Sequence, residues 1–189
     1  MAVNRTGIGA AVPRREDARF LTGAGQFSDD IMTPGALTAV VLRAPLPHGE
    51  IVAIDTGAAL ASPGVHAVLP SADLAGEITG PMPSLSKVPP YDIGRRDGGD
   101  AADAAQYPLA RDRVRYLGEP VAFVVADTLH QAQDAAELIA VDYHPLDAVI
   151  DVEGALAPGA EQIWPDAPGN VSFDWATGDE AATEAAFAA

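Results

Sequence analysis

The sequence predicts an α/β (α+β) fold, with a mixed sheet, two short helix-containing units and long loops. Three observations predict this class. Apolar residues make up 48% of the 189 residues, which is enough to bury a core. Apolar β-branched runs at 37–44 and 121–126 are typical of buried strands. A capped pattern of helical period over 128–139 indicates a helix between strands.

Residues 1–35 are predicted to form an irregular arm. Turn formers exclude a long helix or strand there, namely Gly23, Gly25, Pro34 and Gly35. Three arginines, Arg14, Arg15 and Arg19, make the start of the arm basic. Guanidinium groups suit bidentate pairing with carboxylates. We therefore expect these arginines to pair with the acidic half of the same chain.

The first helix-containing unit covers residues 37–69. Both alternating faces of 37–44 are apolar, which predicts a strand buried on both sides. A second strand begins at 51–54, and Thr56 could cap a short helix over 57–61. The Pro63-Gly64 turn then leads into a third strand at 65–69.

The second unit follows a short strand at Val114 to Tyr116. Residues 121–126 (VAFVVA) carry the strongest buried-strand pattern in the chain. Thr128 with Gln131 forms a capping box that opens a helix through about Ile139. One face of this helix is expected to be buried, comprising Leu129, Ala132, Ala136 and Ile139. The next strand, 139–143, is expected to turn Val141 and Tyr143 inward.

Two segments rich in proline are predicted to be loops. Residues 76–108 form a long surface loop, which is either functional or disordered. Residues 146–178 form the other, with three aromatic side chains: Trp164, Phe173 and Trp175. These aromatics either dock onto another surface or pack back onto the domain. Asp179 is expected to cap a helix that has no C-terminal signal, which predicts that the natural polypeptide continues.

The charge distribution is uneven. All 11 Lys and Arg lie within residues 1–115, whereas residues 116–189 hold 14 Asp and Glu, and the formal net charge is -16. Such a surface repels phosphate backbones and anionic lipids, so neither nucleic acid nor membrane is an expected partner. Two interpretations of the acidic half stay open: a solvated face, or a face that meets a basic partner subunit.

The sequence has no cysteine, which excludes disulfides, iron–sulfur ligation and thiolate zinc sites formed by these residues. No apolar run approaches the roughly 20 residues of a membrane-spanning helix. Residues 1–19 lack the apolar region of a secretory signal. The expected location is therefore the cytoplasm.

No catalytic constellation is found. The four histidines lack the spacing of a metal-ligand pair and are expected to be surface or packing residues. They are His48, His66, His130 and His144. Asp29-Asp30 is interpreted as a turn former and not as a metal pair. Gly7–Gly9 and Gly23–Gly25 lack the rest of a dinucleotide-binding motif. Lys87 lies in a proline-rich loop, which argues against a biotinyl or lipoyl carrier. We predict no catalytic, cofactor-binding or metal-binding residue in this chain.

Four stretches in order carry a family resemblance. They are 15–35 (REDARFLTG with Phe27, Asp29-Asp30-Ile31 and Pro34-Gly35), 42–56 (LRAP with His48), 62–74 (SPGV with Asp73-Leu74) and 114–143 (VRY, GEPVA and VDY). Together they resemble the α/β-hammerhead domain that begins the large subunit of molybdenum hydroxylases of the xanthine dehydrogenase, aldehyde oxidase and CO dehydrogenase type. The opening stretch looks most like the CO dehydrogenase branch. Ala44-Pro45 and His48-Gly49 replace the family's usual Ser-Pro and His-Ala, which affects a local turn.

The resemblance implies three regions. Residues 1–19 are expected to be an N-terminal arm, 20–148 the hammerhead domain, and 149–189 an extended linker and the start of a helix that leads to an absent molybdenum-binding domain. In the family, carbon is hydroxylated or CO oxidised with oxygen from water, and electrons pass from molybdenum through iron–sulfur centres to FAD.

The family's molybdenum-pterin ligands and catalytic glutamate lie after the hammerhead, so no catalytic residue is carried over. The chain is expected to be an N-terminal scaffold that is inactive alone. Its implied partners are the remaining molybdenum-binding part of the large subunit and the iron–sulfur and FAD subunits. The alternative is a free-standing protein-binding module without redox activity, whose candidate surface is the 76–108 loop with Trp164 and Trp175.

Overall fold

In the computed structural model, the described residues are 7–10, 14–31, 33–83, 96, 98–102 and 104–189. The chain divides into two compact units, Met1–Ala36 and Leu37–Ala189. The three regions expected from the sequence, 1–19, 20–148 and 149–189, remain a prediction.

The first unit is a short arm with little regular structure, as predicted. It contains helix α1 (Asp17–Leu21) and a 3-10 turn at Ser28–Asp30. The rings of Phe20 and Phe27 stack with their centroids 5.5 Å apart. Gly25 approaches the Phe20 ring so closely that a Cβ atom would lie 2.5 Å from it, so no larger residue fits there without a shift of the ring.

The arginines of the arm pair locally. Arg14 contacts Asp17 at 3.0 Å, and Arg19 pairs with Glu16. The predicted pairing with the acidic half of the chain is therefore corrected for these two side chains. Residues three apart on one helical turn face each other, so the nearest carboxylates are also the least costly to reach.

The second unit contains two three-stranded antiparallel sheets. The first has the order β1-β5-β3 and the second the order β4-β2-β6. The strands are β1 (Thr38–Arg43), β2 (Gly49–Asp55), β3 (Val65–Pro70), β4 (Arg113–Val114), β5 (Pro120–Ala126) and β6 (Ala140–Pro145). Two helices lie between them in sequence, α2 (Gly57–Leu60) and α3 (Leu129–Glu137).

The predicted α/β class is confirmed, but the predicted mixed sheet is replaced by two antiparallel sheets. Strands β5 and β6 flank helix α3 in sequence, yet they belong to different sheets. β6 pairs antiparallel with β2, with Ile51 opposite Tyr143, and β5 pairs antiparallel with both β1 and β3. Sequence pattern locates strands but does not choose their partners, because the partners lie tens of residues away.

Strand β5 is the centre of the fold. Val121, Ala122, Val124 and Ala126 are all 0% exposed. Successive side chains of a strand point to opposite faces, so β5 contributes to two apolar clusters. Val124 belongs to the larger one, and Val121 belongs to the smaller one with Ala44, Ala110 and Val114. β1, predicted to be buried on both sides, is only half-buried because it is an edge strand.

Helix α3 covers the first sheet through small side chains. The Thr128 hydroxyl accepts the Gln131 N–H at 3.3 Å, which confirms the predicted cap. Ala132, Ala135 and Ala136 are buried, and their small size lets the helix approach the strands closely. Leu129 was expected on this face but is 49% exposed, because it lies on the first turn beside the cap.

The shorter helix α2 begins differently from its prediction. Thr56 is the N-cap residue but its side chain makes no cap hydrogen bond. Asp55 accepts the Gly57 N–H at 2.9 Å instead. Val141 and Tyr143 of β6 are half-buried while Asp142 and His144 are exposed, which confirms the predicted alternation.

Residues 146–178, called the linker below, are not wholly irregular. They contain helix α4 (Val152–Leu156) and a 3-10 turn at Pro168–Asn170. Helix α5 (Glu180–Phe187) follows, and the Asp179 carboxylate accepts the Ala182 N–H at 2.9 Å, as the predicted cap requires. None of the helices in the described segments is long and apolar enough to cross a membrane.

Candidate functional site

A concave site lies between the turn that precedes β5 and the linker. It has a volume of about 190 Å³. We call it the arginine cleft, and the side chains that define it are Tyr107, Leu109, Arg111, Asp112, Arg115, Glu119, Trp164 and Asp166. It therefore joins residues that are about fifty positions apart in sequence.

One wall of the cleft is the turn between β4 and β5. Gly118 has a φ of +83°, a conformation that glycine adopts without steric cost. Its N–H donates to the Ala44 carbonyl at 2.9 Å, and the Ala44 N–H donates to the Glu119 carbonyl at 2.9 Å. Arg43 also donates to the Gly118 carbonyl, at 2.9 Å. The Gly-Glu-Pro sequence is thus fixed to the end of β1.

Glu119 is the buried carboxyl group of the cleft, with 7% of the residue exposed. Its carboxylate accepts the backbone N–H of Arg115. Burial raises the pKa of Glu119, and the hydrogen bond from Arg115 only partly offsets this effect. A buried carboxyl with a raised pKa is a feature of many active sites, but here its bonded partner is the backbone of its own turn.

Two arginines of the cleft lie on aromatic rings. The Arg115 guanidinium carbon is 4.5 Å from the centroid of the Trp164 ring, and that of Arg111 is 3.5 Å from the Tyr107 ring. Such cation–aromatic contacts are worth about 0.5 to 2 kcal/mol, with the larger value for desolvated pairs. The Arg115 side chain is only 15% exposed. The Trp164 contact therefore fastens the linker to the domain.

The contacts within the cleft fasten the linker to the domain. Arg115 donates to the Arg113 carbonyl at 3.1 Å and lies 3.6 Å from Asp112. The ionisable side chains that line the cleft are carboxylates, arginines and one tyrosine. The arrangement can orient the linker and hold a buried carboxyl group.

Asn170 holds the linker in shape. Its side chain accepts the Ile163 N–H at 3.0 Å and donates to the carbonyls of Ala155 and Glu161 at 3.1 and 2.9 Å. Its φ is +57°, a left-handed conformation that asparagine tolerates better than most residues. One side chain thus ties α4 to the segment that precedes Trp164.

A second attachment joins the linker to the predicted 76–108 loop. The Ala102 N–H donates to the Ser172 carbonyl at 2.7 Å, and the Ser172 hydroxyl donates to the Ala102 carbonyl at 3.2 Å. Arg96 donates to Asp174 through its backbone and its Nε, both at 2.8 Å. The end of the loop is thus held in place, while residues 84–95, including Lys87, lie outside the described residues.

The histidines occupy different settings. His48 is 1% exposed, and its Nδ1 lies 2.7 Å from the Asp147 carbonyl. His66 Nε2 lies 2.7 Å from Asp127, and both side chains are about half exposed. His130 and His144 are exposed. No group of three potential metal-ligating side chains occurs within the described part of the chain.

The remaining sequence candidates have structural roles. The Asp30 carboxylate accepts the Phe27 N–H at 2.9 Å, so the Asp29-Asp30 pair closes a turn. At Gly49 a Cβ atom would lie 3.0 Å from the His144 carbonyl oxygen and 2.6 Å from Leu46, so glycine suits the close approach of β6 at this turn.

The sequence left open whether the three aromatic side chains of the linker pack onto the domain or dock onto another surface, and they do not all behave alike. Trp164 packs back onto the domain through Arg115, whereas Phe173 and Trp175 are 52% and 59% exposed. Sequence reasoning missed Arg115, Glu119 and Asn170 as site residues. Of these, the Gly169-Asn170 pair carries a turn signal that could have indicated Asn170.

Comparisons with known proteins agree with this fold. The family "Aldehyde oxidase and xanthine dehydrogenase, a/b hammerhead domain" matches residues 22–147. The carbon monoxide dehydrogenase large chain of Hydrogenophaga pseudoflava is 40% identical over 186 residues, which cover 92% of this chain and 21% of that protein.

Solved structures give the same result. A Cu,Mo-CO dehydrogenase matches with a TM-score of 0.72 and 34% identity, over 98% of this chain and 23% of that one. Quinoline 2-oxidoreductase from Pseudomonas putida 86 matches with a TM-score of 0.67 and 38% identity, over 80% and 18%. The chain spans about a fifth of the length of these relatives. It belongs to the aldehyde oxidase and xanthine dehydrogenase family, as an α/β-hammerhead domain of the kind found in CO dehydrogenase large chains.

Proposed function

We propose that this chain is the N-terminal scaffold portion of a molybdenum-dependent hydroxylase large subunit of the CO dehydrogenase-like branch, and that it is inactive alone. The observation that carries the proposal is the extent of the structural match. Almost the whole chain, 98%, superimposes on 23% of a Cu,Mo-CO dehydrogenase chain. The hammerhead with its linker is thus a recurring unit within a much longer oxidoreductase.

The residues present do not fit an iron–sulfur centre, one of the cofactors that the family uses. Iron–sulfur centres are held by thiolates, and the sequence contains no cysteine. The arginine cleft, at about 190 Å³, is smaller than the usual range of roughly 300–1,000 Å³ for cofactor and ligand pockets. We therefore assign the molybdenum-pterin, the iron–sulfur centres and FAD to other domains or subunits of a complete enzyme.

The substrate is proposed to be selected outside this domain. The chain is 40% identical to a carbon monoxide dehydrogenase large chain and 38% identical to a quinoline 2-oxidoreductase. The names of these two relatives refer to chemically unrelated substrates, yet the hammerhead is about equally similar to both. The role that fits this pattern is support of a neighbouring catalytic domain.

The proposed partners are the remaining molybdenum-binding part of the large subunit and the iron–sulfur and FAD subunits. The strongly acidic second half of the chain favours a basic protein surface and disfavours nucleic acid and anionic membrane. We place the complex in the cytoplasm. The alternative of a free-standing binding module is supported by the exposed Trp175 but weakened by the packing of Trp164 on Arg115.

Co-expression tests the scaffold role. The chain would be produced with a separate polypeptide carrying the rest of the Hydrogenophaga pseudoflava large chain and with that enzyme's other subunits. We expect co-purification and CO-dependent dye reduction that exceeds the reduction by the remainder alone. A Val124→Asp chain, in which the core is disrupted, is the matched control and should restore nothing.

Two outcomes contradict the proposal. In the first, the chain elutes alone while the remainder assembles and reduces the dye without it. In the second, the isolated chain itself reduces the dye with CO, aldehydes or purines. The free-standing module would be favoured by the first outcome and an autonomous enzyme by the second.

A further inference from the structure

The linker carries an apolar groove on the outside of the domain. It is formed by α4 and the segment that precedes Trp164 and has a volume of about 490 Å³. We call it the linker groove, and its apolar lining residues are Val149, Ile150, Val152, Leu156, Ile163 and Trp164. Three of these are well exposed: Ile150 by 85%, Val152 by 75% and Leu156 by 59%.

The groove is preformed. The Asp151 carboxylate accepts the Gly154 N–H at 2.6 Å and begins α4, which forms one wall. Asn170 binds the Ala155 carbonyl on that wall and the Ile163 N–H on the other. Trp164, which also lines the groove, is held by Arg115. A partner would therefore meet a surface that is already shaped, which reduces the ordering cost of binding.

Exposure of this kind is unusual for a surface without a partner. Large aliphatic side chains that cluster in one concavity mark interaction sites more often than single exposed residues do. The groove also adjoins the arginine cleft, because Trp164 lines both. An occupant of the groove would therefore cover Trp164 on the side opposite Arg115. The linker groove is thus a docking surface by shape and by composition.

Charge indicates the kind of occupant. Asp151 is the one charged residue among those that line the groove. Residues 146–178 contain six carboxylates, including Glu153 and Glu161 close in sequence to lining residues, and no lysine or arginine. An acidic rim attracts a basic one and repels a second copy of the same face. The complementary ligand is a short apolar segment flanked by lysine or arginine.

We infer that the linker groove binds such a segment from the remaining part of a molybdenum hydroxylase large chain. This inference rests on the proposed function. The relatives show that further chain is available to fill the groove, since the matched region is 23% of a Cu,Mo-CO dehydrogenase chain and 21% of a CO dehydrogenase large chain. The groove then serves to orient the scaffold on the domain that it supports.

The test is a titration of the chain with the remaining part of the Hydrogenophaga pseudoflava large chain, produced separately. The groove variant is Ile150→Asn with Val152→Asn. The matched control is Val52→Asn with Leu60→Asn, two apolar residues on the same unit that are 62% and 49% exposed. Circular dichroism is the control that both double variants remain folded.

We expect the groove variant to weaken binding by about tenfold or more, while the control binds like the unaltered chain. Reversal of the rim charges by Glu153→Lys with Glu161→Lys should weaken binding at low salt and have less effect at high salt. The combined pattern identifies an apolar contact with a basic flank.

The outcomes separate the two proposals. If the unaltered chain does not bind the remainder, both the scaffold role and this inference are overturned. If the unaltered chain and the groove variant bind equally, the scaffold role stands and the groove inference is wrong. If the isolated chain dimerises and the groove variant does not, a second copy is the occupant, which also overturns the inference.

Discussion

The core around strand β5 and the linker differ in where they put their apolar side chains. In the core, Val121, Val124 and the alanines of α3 are hidden between strands and helix. In the linker, Ile150 and two residues of α4, Val152 and Leu156, are exposed, and the Asn170 side chain ties α4 to neighbouring linker residues. The core is thus stabilised by burial and the linker by a few specific contacts.

This difference indicates which region is complete within the chain. Burial of apolar surface is the main favourable term in folding, and the core has used its apolar residues for that purpose. The linker has retained aliphatic side chains that gain nothing in the isolated chain. We expect substitutions in the two regions to have different consequences, and three predictions test this, from the largest effect to the smallest.

Replacement of Val124 by aspartate should abolish the fold. Val124 is 0% exposed at the centre of the β1-β5-β3 sheet, and an unpaired buried carboxylate is expected to cost more than about 4 kcal/mol. Urea unfolding monitored by circular dichroism is the measurement. Val52→Asp, at a strand position 62% exposed, is the control and should change stability by less than about 0.5 kcal/mol. Equal effects of the two would show that β5 is not the core.

Replacement of Asn170 by alanine should loosen the linker while the core stays folded. Three hydrogen bonds are lost at about 0.5 to 1.5 kcal/mol each, and alanine is strained at a φ of +57°. The measurement is Trp164 fluorescence and the rate of proteolysis within the linker, in a Trp175→Phe background that leaves one tryptophan.

Asn170→Gly is the matched variant, because it also loses the side chain but adopts the left-handed conformation freely. It should recover about 1 kcal/mol relative to alanine. If Asn170→Ala lowers the far-ultraviolet signal of the whole chain as much as Val124→Asp does, the linker is not a separate region of stability and the comparison fails.

Replacement of Glu119 by glutamine should alter the pH dependence at the boundary between the two regions. Burial raises the pKa of Glu119, so the folded chain binds its proton more tightly than the unfolded chain does. Its contribution to stability is therefore present at acidic pH and is lost as the pH rises from the ordinary carboxyl range through the raised value.

Glutamine does not titrate, so the variant lacks this loss. We expect the stability of the variant relative to the unaltered chain to increase with pH across the range from about pH 4 upward, with a smaller effect than the two changes above. Thermal unfolding across this range is the measurement, and Glu153→Gln, an exposed position on the linker, is the control. A difference that stays constant with pH would show that the Glu119 pKa is not raised in the folded chain.

The elements that could be predicted from the sequence depend on neighbouring residues. Thr128 caps α3 through a hydrogen bond to a residue three positions away, and β5 is visible as an uninterrupted apolar run. The family was recognisable because its motifs are also local stretches. The arginine cleft was missed because Arg115 and Trp164 are 49 positions apart, and no periodicity links them.

By itself, therefore, the sequence determined the location of the main strands, the caps of α3 and α5, the family and the acidic character of the second half. The tertiary structure decided that two antiparallel sheets form instead of one mixed sheet, that Trp164 packs on Arg115, and that the aliphatic side chains of α4 face outward. The physical reason is the separation along the sequence between the residues that interact. Caps and turns are fixed by bonds within a few residues, whereas strand pairing and burial are chosen by competition among distant segments for the same apolar surface.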